Sequence, residues 1–152
     1  ENKSYTPYVV ETSIGLDRMF LAIFSNSLVE EELDNNTTRT VLKLPAVLAP
    51  TKAAILPLVK KDGLPEVARQ IMKDLSWDFN VFYDEKDAVG KRYRRQDAAG
   101  TPFCITVDHE TLENNTVTIR HRDTMKQERV QISELKEMIA QAVDAKTWLM
   151  KM

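Results

Sequence analysis

The chain is short of the residues that mark several protein classes. Its single cysteine, Cys104, sits in the apolar run Phe103-Cys104-Ile105, which excludes a disulfide framework and a cysteine metal cluster. Only four glycines occur, Gly15, Gly63, Gly90 and Gly100, and they form no phosphate-cradling loop of the P-loop type. No apolar run approaches the roughly 18 residues needed to span a bilayer. The start, Glu1-Asn2-Lys3-Ser4, is polar and has no hydrophobic signal core, so the chain reads as cytoplasmic and without a membrane partner. It has no initiator methionine, which is the expectation for a fragment. The histidines, His109 and His121, have no cysteine or carboxylate at ligand spacing, and no metal is expected. Net charge is also scarce, at -2 over 152 residues. Cations and acids number 9 against 11 in residues 1–80 and 12 against 12 in 81–152. Neither half attracts polyanions by bulk charge, so any such binding needs a shaped patch.

Against that balance stands Lys91-Arg92-Tyr93-Arg94-Arg95, four cations in five residues. Such local density on a near-neutral chain points to an anionic partner, nucleic acid first. A second cluster follows in a pair of alternating segments, 116–122 and 127–132. There Thr118, Arg120 and Arg122 oppose Val117 and Ile119, and Arg129 and Gln131 oppose Val130 and Ile132. A hairpin in matching register sets Arg120, Arg122 and Arg129 on one face. Cations that hold phosphates, beside planar and polar groups that hold bases, suit single-stranded RNA.

The organisation is α/β. Residues 8–10 read as a strand end and 13–15 as a turn. A helix follows with Leu16, Met19, Phe20, Ile23 and Phe24 on one stripe, fraying at Glu30-Glu31-Glu32. Residues 34–52 read as a linker: 34–40 have no apolar side chain, and Pro45 and Pro50 keep the rest extended. From 53 the pattern predicts β-α-β-α-β-β-β-α. Pro57 confines the first strand to an edge or makes it end there. Helices are expected from Pro65, over 88–99 with Gly100 as the stop, and from Ser133 as N-cap. Crossovers and a hairpin together predict a mixed five-stranded sheet flanked by helices. Trp77 and Trp148 follow apolar stripes and are expected in packing rather than as stacking platforms. Tyr93 is ambiguous, with an anchor of the basic helix onto the sheet as one reading.

One tract differs in kind. Glu11-Thr12-Ser13-Ile14-Gly15-Leu16-Asp17-Arg18 crosses a strand-to-helix turn with a carboxylate, a hydroxyl, a glycine and an arginine in the helix's first turn. Helix N-termini attract anions, and a guanidinium there adds bidentate phosphate binding. Pairing of Arg18 with a neighbouring carboxylate is an equal alternative on the spacing alone.

The tract 7–18 resembles motif 3 of class II aminoacyl-tRNA synthetases in the form used by the dimeric glycyl enzymes. The segments 44–52, 90–95, 100–103 and 120–125 are similar, in order, to the anticodon-binding domain shared by glycyl, threonyl, prolyl and histidyl enzymes. The resemblance implies a catalytic-domain remnant over 1–33, a linker over 34–52 and an anticodon-binding domain over 53–152. It implies that Arg18 clamps the phosphates of ATP, brought with Mg2+ as a substrate. It further implies that Glu11, Ser13 and Gly15 recognise glycine, whose small size permits selection by steric closure. Thr12 stands where the family often has proline. Lys91, Arg92, Arg94, Arg95, Arg120, Arg122 and Arg129 become candidates for the tRNA anticodon. The parent is expected to be a homodimer, and this piece is not expected to aminoacylate alone. The other reading is a non-catalytic relative reusing the domain as a nucleic-acid or polymerase accessory subunit.

Overall fold

A computed structural model describes residues 2–33 and 37–150. The centre is a five-stranded mixed sheet in the order β4-β3-β5-β6-β7. Its strands are β3 (Ala53–Pro57), β4 (Val81–Tyr83), β5 (Phe103–Val107), β6 (Thr116–His121) and β7 (Gln127–Gln131). β3 runs parallel to both β4 and β5, and β5-β6-β7 is an antiparallel meander. Helices α2 (Leu64–Leu75) and α3 (Val89–Ala99) make the two crossovers. Pro57 ends a central strand, paired with Val107 at the last rung of the β3–β5 ladder.

Alternation along the strands divides the core. Ala53, Ile55, Phe103, Ile105, Val107, Val117 and Ile119 point to one face, where Leu64, Ala68, Ile71 and Leu75 of α2 and Leu135 and Ile139 of α5 (Leu135–Val143) seal them. Ala54, Leu56 and Cys104 point to the other, under Tyr93 of α3. Burial pushes the Cys104 thiol up to about 12. On this second face α3 covers β3, β5 and Arg120 of β6. The polar row of β6 and β7 continues beyond it, with Thr118 opposite Arg129 and Arg120 opposite Gln127.

Gly100 stops α3 in the left-handed region at φ 80° and lies against Leu42, whose carbonyl oxygen would be 3.1 Å from an added Cβ. Helix α4 (His109–Asn114) was not foreseen. Its start is a capping box, in which the Asp108 carboxylate accepts the Thr111 N–H at 3.2 Å and the Thr111 hydroxyl is 3.1 Å from the Asp108 N–H. The C-terminal helix begins as a 3-10 turn (Ile132–Glu134), so Ser133 is not its N-cap. It breaks at Asp144, which caps α6 (Ala145–Leu149) through the Thr147 N–H at 2.7 Å.

The N-terminal third departs most from expectation. Residues 8–10 form no strand, and Tyr8, Val9 and Val10 are exposed. Helix α1 (Leu16–Ser27) forms, but Leu16, Met19, Phe20 and Phe24 of its apolar stripe are exposed too. The acidic run is no frayed helix end. It is β1 (Leu28–Leu33), paired antiparallel with β2 (Thr37–Leu42), Glu31 opposite Arg39. β2 falls inside the expected linker, and Asp34, Asn35 and Asn36 lie outside the described residues. What makes 37–50 part of the packed body is burial of Arg39, Val41, Leu42, Leu44 and Ala49. Lys52 fixes the following turn, donating from Nζ to the Ala46 and Val47 carbonyls at 3.0 and 2.9 Å. Trp77, expected in packing, is 84% exposed just past the end of α2.

Candidate nucleic-acid interface

The basic helix is not a uniform cationic wall. Arg92 is buried and donates from Nη1 to the Pro57 and Asp84 carbonyls at 2.7 and 3.1 Å, and from Nη2 to the Leu58 carbonyl at 3.3 Å. It ties the carboxyl ends of β3 and β4 to α3. Arg95 turns back onto the loop before the helix, donating to Asp87 at 2.9 Å and to Asp84 at 2.7 Å. Burial opposes ionisation of Asp84, but the Arg95 bond and the Lys86 N–H hold its carboxyl below the usual range. Lys91, Arg94 and Arg95 are all exposed, but Arg95 is held by its two carboxylates, which leaves Lys91 and Arg94 as the outward cations without a close acidic partner. Arg94 reaches a carboxylate only at 3.9 Å, from Asp97, and its side chain is 47% exposed.

The hairpin arginines are corrected in the same sense. Arg120 is buried and holds both oxygens of Asp97, at 2.8 and 3.0 Å. Asp97 is itself fully buried and accepts a third bond, at 3.1 Å, from Arg39 of β2. Two guanidiniums from distant strands thus share one carboxylate, which a buried charge requires to be tolerable. Arg122 is buried and donates to the Gly100 and Leu44 carbonyls at 2.8 Å each, while Asp123 takes its remaining donors. Arg129 is half-buried in a bidentate pair with Asp108, at 2.7 and 2.8 Å. That pair, with the Thr111 N–H, holds the Asp108 carboxyl below the usual range against partial burial. Arg120, Arg122 and Arg129 therefore offer no common cationic face: two are buried and the third is spent on a helix cap.

What remains open is a groove of about 390 Å³ where α3 stops covering the sheet. Its walls are Gly90, Lys91, Tyr93 and Arg94 on one side and Arg120, Met125 and Gln127 on the other. Tyr93, ambiguous in the sequence, anchors α3 to the sheet, its hydroxyl 2.6 Å from Thr106 Oγ1 and its own titration raised by burial. The Arg120 guanidinium lies over the Tyr93 ring, 4.8 Å from the centroid. The groove thus combines a planar Arg–Tyr stack, an amide in Gln127 and outward cations in Lys91 and Arg94. That is a donor set for phosphate, base edge and base face together. Gln127 and Met125 went unremarked in the sequence because each looks like an ordinary turn residue. The signal was the strand register, which sets Gln127 opposite Arg120.

Around the β6–β7 turn the surface continues. A neighbouring depression is lined by His121, Thr124, Lys126, Gln127 and Glu128, with His121 Nε2 2.8 Å from Glu128. Lys126 has no ion-pair partner among the described residues.

A family model described as an anticodon binding domain matches residues 52–142. The chain belongs to that family. It is 55% identical over 131 residues to a protein of Borrelia hermsii named glycine–tRNA ligase, covering 86% of this chain and 29% of the relative. A protein of the same name from Chlorobaculum tepidum is 54% identical over 139 residues, covering 91% and 29%. The chain therefore spans under a third of the length of these curated relatives. In fold it is similar to the RNA binding domain of threonyl-tRNA synthetase from Cryptosporidium parvum. There the TM-score is 0.60 at 23% identity, over 66% of this chain and 25% of the other. Prolyl-tRNA synthetase of the same organism gives a TM-score of 0.61 at 22% identity, over 67% and 22%. The mixed-sheet architecture is thus that of synthetase anticodon-binding domains.

The second candidate set stands apart from this groove. Glu11, Ser13 and Arg18 are exposed and make no hydrogen bond or ion pair among the described residues. Gly15 is the N-cap of α1 and supplies no side-chain cap, so the first N–H groups of that helix are unpaired by any side chain.

Proposed function

We propose that this chain is the anticodon-binding part of a glycine–tRNA ligase and that the groove between α3 and the β6–β7 turn receives unpaired anticodon bases. The observation that carries the reading is the coincidence of two things. The family match spans the segments that build the groove, and the groove's rim holds the cations of α3 that the fold does not consume. In this reading Lys91 and Arg94 hold phosphates, the Tyr93–Arg120 stack offers a planar face, and Gln127 offers both donor and acceptor to a base edge. Arg92, Arg120 and Arg122 act by holding the frame.

The chemistry belongs to the whole protein. There the glycine carboxylate displaces pyrophosphate from ATP, and the tRNA 3′-hydroxyl then takes the glycyl group as AMP leaves. Arg18, an unpaired guanidinium at an uncapped helix start, suits the ATP phosphates, and Glu11, Ser13 and Gly15 suit glycine. In the same proposal magnesium comes with ATP as part of the whole protein's substrate. A homodimeric, cytoplasmic parent belongs to the same proposal; among the described residues no helix is long and apolar enough to cross a membrane.

The test is a titration of this chain with tRNA bearing a glycine anticodon and with the same tRNA carrying a substituted anticodon. The expected result is tighter binding to the first, by about tenfold or more, which is the discrimination that one or two base contacts supply. Equal affinity for both would sink the anticodon reading.

A further inference from the structure

Outside the groove, a cleft of about 330 Å³ lies at the opposite side of the β6–β7 turn. Its walls include Pro45, Pro102, Phe103, His121 and Trp148, with Lys43 among the lining side chains. Three of those are aromatic rings from separate elements. Phe103 and His121 meet edge to face with centroids 5.4 Å apart, so their relative orientation is set. Trp148 is half-buried on α6, which the Asp144 cap holds in place.

Continuity says what the cleft is for. It shares His121 and Thr124 with the depression around Lys126, and that depression shares Gln127 with the groove. The three concavities form one track around the turn. Cations border it at each stage, Lys91 and Arg94, then Lys126, then Lys43, whose side chain is 38% exposed even while it pairs with Glu31. The carboxylates Glu128 and Asp123, paired with His121 and Arg122, line it as well. An apolar slot with planar walls, reached by a line of cations, fits a nucleotide strand better than a peptide, since each base presents a ring face and each link a phosphate.

We propose that the cleft beneath Trp148 is a second nucleotide subsite, which stacks an unpaired base adjoining those held in the groove. This rests on the anticodon reading above. Trp148 supplies the stacking face, His121 and Phe103 close the far wall, and Lys126 and Lys43 hold the intervening phosphates. Trp148 is the residue of this site that an apolar-stripe reading assigns to packing.

The experiment uses the full chain with Trp77→Phe, a change at an exposed position that leaves Trp148 as the one tryptophan. A dye-labelled anticodon stem-loop of glycine tRNA reports binding by anisotropy, and an unlabelled one reports occupancy of the cleft through Trp148 emission. The expected result is quenching that follows the binding curve. Trp148→Ala should weaken affinity about tenfold, and Trp148→Phe much less, because an aromatic face remains. RNA binding with full anticodon discrimination, unchanged emission and an unchanged Trp148→Ala affinity would overturn the subsite while the groove reading stands. Absence of RNA binding altogether would overturn both.

Discussion

Two sets of basic side chains, side by side on α3 and around the β6–β7 turn and joined by Arg39 of β2, have opposite fates. The inward row, Arg39, Arg92, Arg120 and Arg122, is buried and bonded to Asp97, Asp123 and main-chain carbonyls. The outward row, Lys91, Arg94 and Lys126, borders the groove and the depression beside it. Apart from the buried, unpartnered Nε of Arg92, the first row's donors are largely engaged within the fold, and the row would be costly to disturb. The second is nearly free of partners and contributes little to the fold. A charge-dense sequence is therefore not a charge-dense surface: here the guanidiniums mostly lace strands and loops together, and a minority faces outward.

Substitutions separate the two rows. The largest effect is expected from Asp97→Ala, which would leave Arg39 and Arg120 as buried cations sharing no carboxylate. A loss of about 3–5 kcal/mol is expected in urea unfolding. A loss below about 1 kcal/mol would mean that water or another acceptor replaces Asp97. Arg92→Met comes next. It keeps the packing of the stem but leaves the Pro57 and Leu58 carbonyls without that donor, for an expected loss of about 1–3 kcal/mol. RNA affinity measured below the unfolding transition should stay within about twofold, because fold and ligand contacts are separate here.

Acid should act through the carboxylates. The Lys43 bond, and after it Arg39, holds the Glu31 carboxyl below its ordinary range despite partial burial, as Arg129 does for Asp108. Groups with a depressed folded pKa contribute stability that is complete above the unfolded value, near about 4, and lost as pH falls through the folded value. Thermal stability should therefore be level from neutral pH down to about 5 and fall below about 4. Arg129→Gln should lower the plateau slightly and flatten the acid limb. An unchanged acid limb would show that the Asp108 pair does not contribute to it.

Much of the frame was legible in the sequence. Periodicity placed α2, α3 and all five strands of the central sheet, and Gly100 announced the end of α3. The misses have local causes. β2 carries Thr37-Thr38-Arg39-Thr40, whose polarity reads as a loop; it is a strand because Arg39 finds Asp97 beneath α3. α4 is too short for a periodic signal and is specified by its capping box instead. Residues 8–10 read as a strand from composition, but nothing pairs with them among the described residues. The groove was half legible. Lys91 and Arg94 stood out by charge, but burial of Arg92, Arg120 and Arg122 depends on which face α3 covers. One hint was present: Asp97, the lone acid of that helix, one turn beyond Tyr93.

The most direct test of the division of labour is the affinity of the Arg94→Glu variant for tRNA bearing a glycine anticodon, set beside its thermal stability. Arg94 is half-exposed and its nearest carboxylate is 3.9 Å away, so stability should move by less than about 0.5 kcal/mol. Affinity at moderate salt should fall by about fivefold or more, with a shallower salt dependence, as a phosphate contact turns into a repulsion. An Arg94→Glu variant that binds as tightly as the parent chain, with the same salt slope, would contradict the assignment of the outward row to RNA.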